Sequence, residues 1–220
     1  MKGKRIIYGL WLLMACGGLL CSCSKENNGK TIALIGQEEY IDDIEKLFSD
    51  FKPAFDAVKE KMRISHEGPI PPKIEGGFVM DNTLLVDSNV GYISNDVTMP
   101  EVYLRFKRQH NGLVTLDMKE SVFQQSTDTV FVMGDDEGFT VYFKEKREYE
   151  QPVGGMTYHA TLERGVIMCG SVTPDGLEDF RFASIVMKME DDSNGLLVQY
   201  PPGTYLIYED GDGMANKCTW

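Results

Sequence analysis

Apolar and polar residues alternate along most of the chain between residues 74 and 210, and a period of two is typical of β-strands with one buried face. Segments 102–107 and 114–119 follow this pattern on either side of Asn111-Gly112. Because Asn-Gly favours the tight turn of a β-hairpin, these two segments are predicted to pair as antiparallel neighbours. The alternation recurs in segments 78–86, 128–133, 138–143, 156–162, 166–170, 180–189, 196–200 and 204–208.

The predicted fold class is therefore mainly β, an antiparallel up-and-down meander of about eight or nine strands joined by short turns. Closing such a meander into a barrel removes both unpaired edges, so we expect a β-barrel, with a two-sheet β-sandwich as the alternative. In segment 180–189 the apolar positions change phase after Phe182, which indicates a β-bulge.

The period changes to that of a helix upstream of the β-domain. Seven apolar residues recur there at steps of three and four: Ile41, Ile44, Phe48, Phe51, Phe55, Val58 and Met62. They predict one amphipathic helix within residues 38–67 that packs its apolar face on the β-domain. Pro53 either kinks this helix or lies in the first turn of a second one. The Pro-rich connector 68–73 cannot continue the helix.

The first 23 residues predict export from the cytoplasm. Basic residues 2–5 precede an apolar segment, 6–20, which is shorter than the ~18–20 residues of a membrane-spanning helix. Leu20 stands three residues before Cys23, and the small Ser22 directly before it, so the segment resembles a bacterial lipoprotein signal peptide. The resemblance implies cleavage after residue 22 and acyl chains on Cys23, which anchor the protein firmly to a membrane.

Other interpretations of this segment stay open. Cys16 follows Leu13-Met14-Ala15, which also fits a lipobox, and Cys21 follows the bulkier Leu20. An ordinary cleaved signal peptide and an uncleaved anchor are further alternatives. We expect a bacterial cell-envelope location at the outer membrane, and the sequence leaves the periplasmic face and the cell surface both possible.

The β-domain opens on Ile74-Glu75-Gly76-Gly77-Phe78. With its number of strands, it resembles the small lipocalin- or calycin-like barrels of bacterial lipoproteins over residues 70–210. Phe78 stands where a lipocalin signature has tryptophan. The resemblance concerns the overall shape, and no family binding residue is carried over from it.

These predictions divide the chain into six segments. They are a signal peptide 1–22, a tether 23–37, the helix 38–67, the connector 68–73, the β-domain 74–210 and a C-terminal tail 211–220. The whole chain has a net charge of −12, and because residues 1–22 hold three basic and no acidic residues, the exported part carries −15. This charge argues against binding to nucleic acid and against electrostatic attachment to anionic lipid.

After acylation of Cys23, the exported chain retains Cys169 and Cys218. In an oxidising compartment the two could form a disulfide, which would stabilise the fold by ~4 kcal/mol in the chain-entropy model. The alternative is a buried free thiol at Cys169 and an unpaired Cys218 in a disordered tail.

The sequence offers no catalytic constellation. His66, His110 and His159 are far apart and are predicted to be surface residues, and no nucleophile elbow, phosphate loop or dinucleotide fingerprint occurs. The segments 135–137 and 209–213 are the best calcium candidates, but we interpret them as solvated acidic turns. We therefore expect no enzyme activity, no catalytic, cofactor or metal residues and no cofactor.

The leading hypothesis is a membrane-anchored, non-enzymatic β-barrel that binds a small lipidic or saccharide ligand. The alternative is a structural or interaction subunit of a cell-envelope assembly with an envelope protein as its partner. A hydrolase is the third possibility.

Overall fold

The computed structural model describes residues 37–91, 100–120, 123–153, 156–191, 193 and 200–220. Helix α1 (Gln37–Phe48), a 3-10 turn (Ser49–Phe51) and helix α2 (Lys52–Met62) precede the strands. The strands are β1 (Gly76–Met80), β2 (Thr83–Ser88), β3 (Val102–His110), β4 (Leu113–Glu120), β5 (Phe123–Gly134), β6 (Phe139–Val153), β7 (Met156–Val172), β8 (Gly176–Asp191), β9 (Tyr205–Asp210) and β10 (Met214–Lys217). Within the described residues, no helix combines the length and the apolarity needed to cross a membrane.

The strands form one antiparallel sheet that closes into a ring. Strands β3 to β8 pair in sequence order, β1 pairs with β3, and β10 pairs with both β1 and β8, which makes a ring of eight strands. Strands β2 and β9 pair with each other, and β9 also pairs with β8 beyond the end of β10. The predicted antiparallel meander and its closure are confirmed, and the fold is mainly β.

Closure depends on the segment 211–220, which the sequence predicted to be a tail. Strand β10 lies within it, and residues Phe78 and Val79 of β1 pair with Lys217 and Asn216. A four-residue strand with only Ala215 buried has too little alternation to be recognised in the sequence. The tail prediction was wrong because β10 gains its structure from pairing with two distant strands.

The inner face of the ring holds the main hydrophobic core. Strand β6 shows the pattern most clearly, since its odd-numbered residues from 139 to 149 are buried while its even-numbered residues from 144 to 150 are exposed. Phe139, Val141 and Phe143 pack in this core with Phe106 and Phe180. These aromatic side chains fill one half of the interior.

The outer face is buried along β5 to β9 because the helices cover it. Phe48, Phe55 and Met62 of the helices form a second core with residues such as Tyr142 and Ile185 on this face. Both faces of β8 are therefore buried at residues 182–187. The change of phase after Phe182 reflects this two-sided burial. The pairing of β7 with β8 has two register shifts, and they lie on either side of this change, between residues 178 and 181 and between residues 186 and 188.

The helical segment is divided as one of the predicted alternatives describes. Pro53 lies at the start of α2, where its missing N–H group has no role in the helix. The helix ends at Met62, before the predicted limit of 67, because Arg63 adopts a left-handed conformation with φ of 55°. Its N–H group donates to the Glu60 carbonyl and closes the helix.

Candidate ligand-binding cavity

A cavity of about 60 Å³ lies inside the ring, beyond the half that the phenylalanines fill. Its walls combine apolar residues with tyrosines and with buried charged residues. The apolar and aromatic residues are Val102, Leu162, Phe182, Val186, Leu206, Tyr149, Tyr200 and Tyr208, and the polar ones are Thr83, Glu120, Arg147, Arg164 and Ser184. The rings of Phe182 and Tyr208 stack at 4.5 Å and form one aromatic wall.

The charged residues reach the interior because they continue the inward alternation of the strands. On β6 the inward series runs from Phe139 through Phe143 to Glu145, Arg147 and Tyr149. The inner face of this strand therefore changes from aromatic to charged half-way along its length. On β7, Arg164 occupies the corresponding inward position beside Leu162.

Four of these side chains form a buried ion-pair network. Arg147 donates from Nη1 and Nη2 to the two carboxylate oxygens of Glu120, both at 2.8 Å, and from Nε to Glu145 at 2.9 Å. Glu145 also accepts hydrogen bonds from Arg164 and from Gln125. The side chain of Arg147 is 6% exposed and that of Glu145 is 0% exposed, so each charge depends on the others for compensation.

Burial and pairing act on Glu120 in opposite directions. Loss of water raises the pKa of Glu120, but the charge and the hydrogen bonds of Arg147, with a contribution from Arg164, outweigh this effect. The pKa of Glu120 is therefore lowered from its ordinary value of 4.5. The ionised form of Glu120 therefore stabilises the folded protein. Because the unfolded chain takes up the proton first as the pH falls, this stabilisation is present above pH 4.5 and is lost on acidification.

We expect the replacement Glu120→Gln to lower the free energy of unfolding more at about pH 6 than at about pH 3. Chemical denaturation of both proteins at the two pH values measures the difference. The exposed Glu148 on the same sheet provides the control, since Glu148→Gln should change stability little at either pH. An equal loss of unfolding free energy at both pH values would show that the charge of Glu120 does not stabilise the folded protein.

Two polar atoms beside the network have no hydrogen-bond partner within the described part of the chain. They are Nε of Arg164 and Oγ1 of Thr83, and both are buried from solvent. Burial lowers the pKa of Arg164, which reflects the free-energy cost of keeping its charge away from water. A buried donor without an acceptor costs roughly 1–3 kcal/mol, so a group that accepts from Arg164 would recover that free energy.

Tyr149 and Tyr208 of the cavity stay neutral and can donate or accept hydrogen bonds. Burial, as the largest effect, raises the pKa of Tyr149 and of Tyr208. The network has no net charge, because the two negative charges of Glu120 and Glu145 offset the two positive charges of Arg147 and Arg164. An added anion would leave an unbalanced charge in a site of low polarity, whereas a neutral acceptor would not.

The histidines and the first acidic turn lie outside this cavity. His110 and His159 are exposed on the strands, while His66 is half-buried and contacts Asp135, with 2.9 Å between Nδ1 and Oδ1. The same Asp135 oxygen accepts from the backbone N–H groups of Glu137 and Gly138. Asp135 is therefore occupied in stabilising its own turn.

Of the two alternatives for Cys169 and Cys218, the structure has the free thiols. Cys169 is buried on the outer face of β7 among the residues that contact the helices, and burial raises its pKa to about 12. Cys218 follows β10, next to Gly77, and belongs to a paired segment instead of the disordered tail envisaged for it. The two thiols therefore lie on different strands, Cys169 on β7 and Cys218 directly after β10.

Some predictions fall outside the described residues. They include the signal peptide, the tether, lipidation at Cys23 and most of the strand predicted at 196–200. The charged residues of the cavity were missed because the strand prediction at 138–143 ended too early. Extending the same alternation through residues 144–150 would have placed Glu145 and Arg147 on the inner face.

Comparisons with protein-family models, with curated proteins and with solved structures gave no match for this chain.

Proposed function

We propose that this protein is a non-enzymatic binding module whose β-barrel cavity takes a small neutral molecule with one hydrogen-bond acceptor. The observation that carries the proposal is the buried Nε–H group of Arg164, which has no acceptor among the described residues and lies beside a cavity with apolar and aromatic walls. Such a combination of apolar surface with a few directed polar groups is typical of small-molecule sites. The predicted lipid anchor at Cys23 would hold this module at a membrane of the cell envelope.

The size of the cavity narrows the ligand class. A volume of 60 Å³ is well below the 300–1,000 Å³ of sites that enclose drug-sized ligands. It fits a molecule of roughly four non-hydrogen atoms, or the polar end of a larger lipidic ligand. It is too small to enclose an entire sugar ring or acyl chain, so the saccharide alternative is not favoured.

Acetone and acetate are matched probes for this proposal, because they have nearly the same size and shape and differ in charge. A ligand of four heavy atoms gains at most ~6 kcal/mol, which corresponds to a Kd of about 40 μM or weaker. We expect acetone to shift the methyl NMR resonances of Leu162 and Leu206 in a saturable manner. Acetate should leave them nearly unchanged because it would unbalance the buried network.

The variant Arg164→Lys tests the role of the donor. Lysine keeps a positive charge near Glu145 but lacks the Nε–H group of arginine, so the response to acetone should be lost while the fold is retained. Arg105→Lys is the matched control. Arg105 of β3 forms an ion pair with Asp117 of β4 on the outer face of the ring, away from the cavity. The proposal fails if neither probe shifts the two methyl groups, or if Arg164→Lys binds acetone as the unaltered protein does.

A further inference from the structure

Three carboxylates meet where β1 turns into β2 and where β9 turns into β10. Asp81 lies in the first turn, Asp210 ends β9, and Asp212 lies in the second turn. One oxygen from each of them lies within 4.8 Å of the other two. The two turns also touch directly, because the Gly211 N–H group donates to the Asn82 carbonyl at 2.8 Å.

Asp210 differs from an ordinary residue of an acidic turn. It is 3% exposed, and its Oδ2 atom has no hydrogen-bond partner within the described residues. Thr83, which pairs with Asp210 across β2 and β9, is also fully buried with an unpartnered Oγ1 atom. A buried carboxylate oxygen without a donor is costly, and it indicates that another species compensates it.

Side chains of the described residues do not supply that compensation. Among them, no lysine, arginine or histidine forms an ion pair with Asp81, Asp210 or Asp212. No cationic side chain among the described residues therefore compensates the three carboxylates, and a bound cation would supply the missing positive charge.

We propose that Asp81, Asp210 and Asp212 bind a calcium ion that joins the β1–β2 turn to the β9–β10 turn. Calcium takes six to eight oxygen ligands at about 2.3–2.6 Å, so ligands on opposite sides of the ion lie up to about 5 Å apart. Magnesium requires about 2.0–2.1 Å and a strict octahedron, which limits that separation to about 4.2 Å. The three oxygen atoms all lie within 4.8 Å of one another and come from two different turns, an arrangement that the flexible coordination of calcium accepts more readily than the strict octahedron of magnesium.

The test is thermal unfolding of the full chain, first freed of metal with a chelator and then titrated with calcium chloride. We expect a saturable rise in Tm with calcium, a smaller one with magnesium, and a matching binding heat in calorimetry. Asp212→Asn should lose most of the rise in Tm. Asp210→Asn should also lose it, yet it should be at least as stable as the unaltered protein without calcium, because it removes the buried charge.

Asp136→Asn is the matched control, because it removes one carboxylate from a different exposed acidic turn. It should respond to calcium as the unaltered protein does. The proposal is overturned if calcium at millimolar concentration gives no saturable rise, or if Asp210→Asn and Asp212→Asn respond normally.

Discussion

Replacing Arg147 by methionine is expected to lower the free energy of unfolding by about 3–5 kcal/mol, because it leaves buried carboxylates without compensation. Glu120 would lose both of its hydrogen bonds to the guanidinium, and Glu145 would lose one of its two arginine partners. The Cζ atom of Arg147 also lies 4.1 Å from the centre of the Phe123 ring, and methionine replaces this contact only in part. Chemical denaturation at neutral pH measures this loss.

Lys146→Met is the matched control for this prediction. Lys146 is the neighbour of Arg147 on β6, but its side chain is 55% exposed and pairs with the exposed Glu148. Its loss should change stability by at most about 0.5 kcal/mol. A double variant with Arg147→Met and Glu120→Gln should lose less than the sum of the two single variants, since it removes both charges of one pair. Equal effects of Arg147→Met and Lys146→Met would contradict the buried network.

The second large effect is expected at the interface between the helices and the ring. Phe48 is 1% exposed, stacks on Phe55 at 4.4 Å and meets the Tyr142 ring edge-on at 6.3 Å. Phe48→Ala should lower the free energy of unfolding by about 3–5 kcal/mol, because it leaves a cavity between α1 and the outer face of the sheet. Chemical denaturation again provides the measurement.

Gly165 tests the same interface from the side of the sheet. A Cβ atom at Gly165 would lie 2.3 Å from Phe48 Cε1, so Gly165→Val should displace the ring and also destabilise the protein. Ile41→Ala is the control on α1, since Ile41 is 46% exposed and should cost well under half as much as Phe48→Ala. Equal losses of unfolding free energy in Phe48→Ala and Ile41→Ala would contradict the described packing of the helices on the ring.

The strand alternation predicted the meander well, because each hairpin is a local contact between neighbours in the sequence. The turn at Asn111-Gly112 illustrates this, with positive φ values of 48° and 73° as a tight hairpin requires. Ring closure was expected only from the general cost of exposed edges. The contact of β10 with β1 and β8 joins distant parts of the chain, and no local pattern specifies it.

The candidate site was harder to predict, since its residues come from strands β2 to β4 and β6 to β9. Arg164 appears in the sequence as one charge among many, and only the structure brings it beside Glu145 and away from solvent. Asp210 was part of a predicted acidic turn, yet its burial depends on its pairing with Thr83. A charged residue on the inner face of a strand is the one signal that the sequence offers for such sites.

The proposed ligand site is tested most directly by the NMR resonance of the Arg164 Nε–H group in the unaltered protein. Its assignment follows from its disappearance in Arg164→Lys. We predict a resonance that exchanges slowly with water and that shifts in a saturable manner on addition of acetone, but not of acetate. Two results would contradict the account: an Nε–H proton that exchanges with water as fast as that of an exposed arginine, or a resonance that does not shift on addition of acetone.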